Sequence, residues 1–251
     1  MINNKRVLIV TPAWNEAGAI YQVIRELRGE LPGADVLVVD DGSSDDTARL
    51  AHAAGAAVAH LPYNLGVGGA MRLGYRYGRD HDFDVVIQLD ADGQHDPRYI
   101  PKLVDAIDDA DLVIGSRFAE SDQRGSAAES DQRGSVGGES EYRVRGPRLW
   151  AMRLLAAVIS LIAHTRLTDT TSGFRAANRR TIELFAGWYP VEYLGDTVET
   201  LVYAARRGFR IRQVPVAMRA RIAGAPSHSP IKSMVYLGRA FAILLLALIR
   251  R

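Results

Sequence analysis

Short apolar runs alternate with helical patterns through residues 1–115, and this alternation confines the chain to an α/β architecture. Five runs read as strands: Val7–Val10, Val36–Val39, Ala56–Ala59, Val85–Leu89 and Leu112–Ile114. The spacing between them predicts helices over Ala17–Arg28, Asp45–Ala54, Gly66–Tyr77 and Pro97–Asp108, the last with proline at its start. Strands that alternate with helices build a mostly parallel sheet covered on both faces. Such sheets bind ligands beyond the carboxyl ends of their strands. The chemically loaded residues fall there: Thr11–Glu16, Asp40–Asp45, Asp90–Asp96 and Ser116-Arg117.

The 251 residues are enough for one large domain, and 47% apolar with 24% charged residues is the balance of a chain that buries a core. There is no cysteine, which excludes disulfides and cysteine-bound zinc. Met1–Arg6 runs straight into the first strand without an apolar signal segment, so a cytoplasmic location is expected. The net charge of +2 hides an asymmetry. Residues 1–140 carry 13 Lys/Arg against 23 Asp/Glu, whereas residues 141–251 carry 18 against 6. A basic second half suits a phosphate group or an anionic membrane face; the plain alternative is a solvated basic surface. The arginines are not interleaved with a readout motif, so nucleic acid is not expected as a partner.

Residues 119–136 are a tandem repeat, Ala119–Ala127 followed by Ala128–Val136, without a large apolar residue to bury before Val136. Its composition predicts a mobile insertion over 118–141, either an inert duplication or a lid. Residues 149–163 are strongly apolar and read as a helix. A second apolar stretch, Ser233–Ile249, ends in Arg250-Arg251. Its uninterrupted part, Ala240–Ile249, is shorter than the roughly 20 residues a bilayer requires. An amphipathic interfacial helix over 231–251 is one reading, and a helix packed on the domain is the other.

Asp90-Ala91-Asp92-Gly93-Gln94 follows the fourth strand. In an extended segment, residues two apart point the same way, so Asp90 and Asp92 can face one cation, with Gln94 as a third oxygen. Ligands of this kind suit Mg²⁺ or Mn²⁺ shared with substrate phosphates. His95 reads as a turn residue. After the first strand, in Thr11-Pro12-Ala13-Trp14-Asn15-Glu16, Pro12 fixes a turn while Asn15 and Glu16 bring polar groups to the mouth of the sheet, although Asn15 and Glu16 also suit a helix start. In Val39-Asp40-Asp41-Gly42-Ser43-Ser44-Asp45, an acidic residue at the end of the second strand can accept from a ribose hydroxyl or a base N–H, although Ser44 or Asp45 also suits a helix start. Gly66-Val67-Gly68-Gly69 is not a dinucleotide fingerprint, because the last glycine of that spacing falls on Met71.

These elements, in order at successive strand ends, resemble glycosyltransferase family 2 and its GT-A fold, a mixed, mostly parallel sheet flanked by helices. The matching stretches are Pro12–Glu16, Val38–Thr47, Asn64–Gly69, Gln88–Pro97, Gly115–Arg117, Asp169–Arg175 and Asp196–Gly208. Within the family the chain is most similar to the polyprenyl-phosphate sugar transferases. The resemblance implies a single catalytic domain over 1–230. Residues 1–117 then form its nucleotide-sugar half and 142–230 its acceptor half. It implies a divalent metal on Asp90, Asp92 and Gln94. It implies a GDP- or UDP-sugar against Pro12, Ala13, Asn15, Glu16, Asp41, Asn64, Gly69, Asp90 and Ala91. Ala13 stands where many members carry Tyr, and Trp14 follows it.

On the acceptor side the resemblance implies a polyprenyl phosphate held by Arg117, Arg175, Arg219, Arg221 and Ser227, since guanidinium offers a planar fork of donors. Arg221–Ser227 resembles the family's donor-covering loop but carries Pro226 and has no lysine immediately after Ser227. Asp92, Arg117, Asp196 and Glu199 are the catalytic candidates. A hydroxyl acceptor would need Asp196 or Glu199 as general base; an ionised lipid phosphate needs none. The expected activity is an inverting transfer of sugar to polyprenyl phosphate, peripheral to the cytoplasmic face of a membrane. The rivals are transfer to a saccharide or small-molecule hydroxyl and, in another class, a non-catalytic adaptor that binds a sugar nucleotide or docks an integral membrane protein.

Overall fold

The computed structural model describes residues 1–116, 156–163, 165–190 and 195–223, with side chains from 197 onward in the last stretch. Arg117, Ser227, the Asp196 side chain, the repeat at 119–136, residues 149–155 and the tail from 231 lie outside the described residues.

Seven strands form one sheet. In chain order they are β1 (Val7–Ala13), β2 (Asp35–Asp40), β3 (Ala57–His60), β4 (Val85–Gln88), β5 (Leu112–Ser116), β6 (Arg175–Asn178) and β7 (Ile211–Pro215). Across the sheet the order is β3-β2-β1-β4-β6-β5-β7. All neighbours run parallel except β6, which is antiparallel to both β4 and β5. The helices are α1 (Ile20–Glu30), α2 (Thr47–Ala53), α3 (Gly66–Asp80), α4 (Ile100–Ala106, after a 3₁₀ turn at Pro97–Tyr99), α5 (helical over 156–163), α6 (Arg179–Gly187) and α7 (Gly195–Arg206).

The side-chain period of two divides the core between the faces. Val7, Ile9, Val36, Val38, Val85 and Ile87 pack under α1, α2 and α4 through Ile20, Ile24, Leu27, Ala51, Ile100 and Leu103. Leu8, Val10, Leu37, Val39 and Val86 pack under α3, α6 and α7 through Met71, Tyr75, Ile182, Phe185, Val198 and Leu201. Burial on both faces explains why the strands read as continuous apolar runs. All five predicted strands are present. Helix α1 begins at Ile20, three residues beyond the predicted start, because residues 14–19 form a loop that bonds to the β2–α2 connection.

Strands β6 and β7 were not read from the sequence on their own. Arg175-Ala176-Ala177-Asn178 has no β-branched residue, so nothing local marks it as a strand. It is one because β4 and β5 flank it and because Ala176 and Ala177, both fully buried, fit between two helical layers. Its reversed direction sets Arg175 opposite Gln88 and Ile114, at the carboxyl ends of β4 and β5. The turn at 169–174 is thereby delivered to the same edge as Asp90.

Candidate active site

The loops after β1 and β2 are fastened together. Asn15 sits at φ +54, and its Oδ1 accepts from the Ser44 amide at 2.9 Å while its own amide donates to Ser43 Oγ at 2.9 Å. The Glu16 amide donates to Thr47 Oγ1 at 2.8 Å, and Asp45 accepts from the Ala17 amide at 3.1 Å. Asn15 is therefore a bridge between loops, not the cap of α1, whose N-terminus has no side-chain cap. Pro12 and Ala13 form the end of β1 and are buried, while Trp14 beside them is 53% exposed. Asp41 is buried, and its two oxygens accept from the amides of Leu65 and Gly66, each at 2.7 Å. Asn64 Oδ1 also accepts from the Gly66 amide, at 3.1 Å. The start of α3, including the buried Gly69, is thus anchored to the end of β2.

The acidic segment after β4 is held from both sides. The Asp90 amide donates to His95 Nδ1 at 3.2 Å, and the His95 ring, 4% exposed, stacks on Phe174 at 4.9 Å. Gly173 lies so close to the Asp90 carboxylate that a Cβ there would come within 2.8 Å of Oδ2. Ala91 is buried between the two aspartates. Asp92 is buried too; its Oδ1 accepts from the Gln94 amide at 2.9 Å, and its Oδ2 meets Arg221 Nη2 at 2.9 Å. Burial raises the Asp92 pKa, and the neighbouring Asp90 charge adds to the rise. Glu16 is also raised, chiefly by burial, against the opposing pull of Arg221 at 3.9 Å.

The chain after β7 crosses over this segment. Arg219 N donates to the Gln94 carbonyl at 2.9 Å, and Ile222 N donates to the Asp92 carbonyl at 3.0 Å. The Ile222 side chain lies against Gly93, whose φ of +78 and missing Cβ permit the approach. The carboxyl ends of β1 and β4 therefore share an acidic group, Glu16, Asp90 and Asp92, with Arg221 among them.

Residues 8–181 match the sequence pattern of the family described as glycosyl transferase family 2. The chain belongs to glycosyl transferase family 2. Undecaprenyl-phosphate mannosyltransferase of Micrococcus luteus is 34% identical over 234 residues, covering 89% of this chain and 88% of that one. Polyprenol monophosphomannose synthase of Mycolicibacterium smegmatis is 29% identical over 242 residues, covering 90% and 82%. Glucosyl-3-phosphoglycerate synthase of Mycobacterium tuberculosis, solved with Mn²⁺, uridine diphosphate and phosphoglyceric acid, superposes with a TM-score of 0.70 at 22% identity, covering 97% and 78%. That likeness shows a shared fold, the GT-A architecture expected from the sequence.

In this family 2 glycosyltransferase the donor set fits a hard divalent cation. Asp90 and Asp92 offer two carboxylates at one strand end, and burial, with the Asp90 charge second, raises the Asp92 pKa, so a cation there would offset both effects. Among the described residues no three carboxylate or imidazole groups cluster closely enough to cage a metal.

Two of the arginines expected at the acceptor phosphate have partners within the protein. Arg175 is 1% exposed, and its guanidinium donates to the carbonyls of Ser172, Thr197 and Thr170 and to Thr200 Oγ1, at 2.8–3.2 Å. It ties the 170–172 turn to the first turns of α7 and presents no donor to the cleft. Arg219 pairs with Glu26 on α1 and with Asp96 at 2.8 Å, so it tethers the crossing segment. Glu199 lies half-buried in α7, two residues after Thr197. His95 was read as a turn residue and proves to be the buried prop of Asp90. Only the packing of Phe174, remote in sequence, reveals it.

Proposed function

We propose that this chain transfers a sugar from a nucleoside-diphosphate sugar, GDP- or UDP-linked, to a polyprenyl phosphate at the cytoplasmic face of a membrane, with inversion at the anomeric carbon. The observation that carries the donor side is the Asp90/Asp92 pair at the carboxyl end of β4. The acceptor follows from relatives that match nearly the full chain and are named for undecaprenyl phosphate and polyprenol.

Asp90, Asp92 and Gln94 would hold Mg²⁺ or Mn²⁺, which supplies positive charge for the leaving diphosphate. Pro12, Ala13, Glu16 and Ala91 line the nucleotide cleft, and Trp14 offers the base an exposed aromatic face. Asp41, Asn64 and Gly69 bound it by fixing the start of α3, and Asn15 locks its two loops together. His95 and Gly173 set the position of Asp90 directly. Arg117, Ser227 and, once released from Asp92, Arg221 are the phosphate-facing groups. A lipid phosphate is ionised near neutral pH, so Asp196 and Glu199 orient the acceptor and take no proton.

The test is a donor screen with extracted membranes, in which radiolabelled sugar is followed into the organic phase. Label is expected there from one GDP- or UDP-sugar, and Asp92→Asn is expected to abolish it with the protein still folded. Label that stays in a water-soluble saccharide, and falls with Glu199→Gln, would establish a hydroxyl acceptor instead. Unchanged turnover in Asp92→Asn would falsify the mechanism.

A further inference from the structure

Asp92 has a positively charged partner within its own chain. Both of its oxygens are engaged, Oδ1 by the Gln94 amide at 2.9 Å and Oδ2 by Arg221 Nη2 at 2.9 Å. The backbone on either side of Arg221 is held to the acidic segment. Arg219 N and Ile222 N donate to the carbonyls of Gln94 and Asp92, two residues apart on the acidic segment, and Ile222 lies over Gly93. Arg219 adds ion pairs to Glu26 and Asp96. With the backbone fixed on both sides of Arg221, pairing with Asp92 orders only its side chain, and the contact is a charge-assisted hydrogen bond.

We propose that Arg221 is a specificity-determining residue: as the built-in counter-ion of Asp92, it makes the site select a divalent cation delivered with a diphosphate over the bare cation. The inference rests on the metal–nucleotide reading above. A bare cation that takes Asp92 must displace the guanidinium and leave it with Glu16 alone, 3.9 Å away and half-buried. A cation that carries a diphosphate brings anionic oxygens to which the freed fork can turn. Asp92 exchanges one positive partner for another, and the guanidinium exchanges a carboxylate for a phosphate. Cation and diphosphate binding are then coupled through one side chain, and the coupling is reciprocal.

The experiment is calorimetric titration of the full chain with Mn²⁺, alone and with saturating UDP or, in parallel, GDP. Arg221→Met keeps the apolar stem and removes the charge. It is expected to bind Mn²⁺ alone about tenfold to a hundredfold more tightly than the wild type, the range set by one charge-assisted hydrogen bond. The advantage conferred by the diphosphate should shrink by a similar factor. Arg221→Lys keeps the charge and should stay near the wild type. Should the Met variant fail to fold, Arg221→Gln carries the same comparison. Bare Mn²⁺ bound no more tightly by a folded Arg221→Met overturns the proposal, and so does a Lys variant as tight as the Met one. If the wild type binds Mn²⁺ with a diphosphate, those results overturn this inference alone. If no protein binds Mn²⁺ with either diphosphate, the metal–nucleotide reading falls with it.

Discussion

Asp96 lies beyond Asp90 and Asp92, yet it decides where the segment crossing them is anchored. Its carboxylate caps the Pro97–Tyr99 turn through the Arg98 amide, pairs with the Arg98 guanidinium and receives Arg219 at 2.8 Å. The Arg98 hydrogen bond, with Arg219 behind it, pulls its pKa from 3.8 to about 2. A carboxyl lowered on folding stabilises the protein above its unfolded pKa, and that contribution is lost as pH falls through the folded one. The window is therefore about pH 4 down to about pH 2. After allowance for screening at the exposed Arg98, the contribution is about 1–2 kcal/mol. Asp96→Asn should flatten the fall of unfolding free energy across that window, measured by urea titration at fixed pH; an equally steep fall would contradict the assignment. Glu16 and Asp92 are raised and act in the opposite sense, so their ionisation costs folded-state stability as pH rises through their shifted range.

Helix α3 shows how an element is positioned by a residue outside it. It has no side-chain cap from its own N-cap residue, Leu65; Asp41 on the neighbouring loop accepts from Leu65 and Gly66 instead. Asp41→Asn keeps one acceptor and replaces the other with a donor, leaving either the Leu65 amide unpaired or the Gly66 amide with Asn64 Oδ1 alone. The expected cost is about 1–2 kcal/mol, with faster hydrogen exchange at residues 65 and 66. Exchange unchanged at those amides would remove Asp41 from this role. Strand β6 makes the same point for the sheet. Its four residues carry no strand signal, and their conformation is imposed by β4 and β5 on either side. Helices α1 to α4, by contrast, were legible because each lays an apolar stripe on the sheet, as Ile20, Val23, Ile24 and Leu27 do in α1.

Across the whole molecule, Arg175 joins the turn beside Asp90 to α7. Its four acceptors are three carbonyls and a hydroxyl, two in the 170–172 turn and two in α7, which a forked guanidinium spans and an ammonium does not. Arg175→Lys should leave at least one buried acceptor unpaired and cost about 2–3 kcal/mol, a fall in Tm of roughly 4–12 °C. Transfer should fall further than nucleotide binding, because Gly173 and Asp90 shift relative to α7. A variant with wild-type Tm would show that the buried fork is dispensable. Membrane attachment also belongs to this scale. Among the described residues no helix is long and apolar enough to cross a bilayer.

The sequence by itself determined the five parallel strands, the four helices between them and the strand ends at which the acidic residues gather. Periodicity and turn chemistry are local properties, and a doubly covered parallel sheet leaves them a continuous apolar signature. It also determined the family, because Asp90, Asp92 and the loops after β1 and β2 stand at fixed spacings along the chain. Only the tertiary structure decided what the arginines do. Arg175, Arg219 and Arg221 look alike as letters in a basic half, yet one is buried as a tie, one tethers a segment and one pairs with Asp92. Their roles depend on carbonyls and carboxylates between 3 and 193 residues away in the chain. No local pattern encodes which of those partners the fold brings within hydrogen-bonding distance.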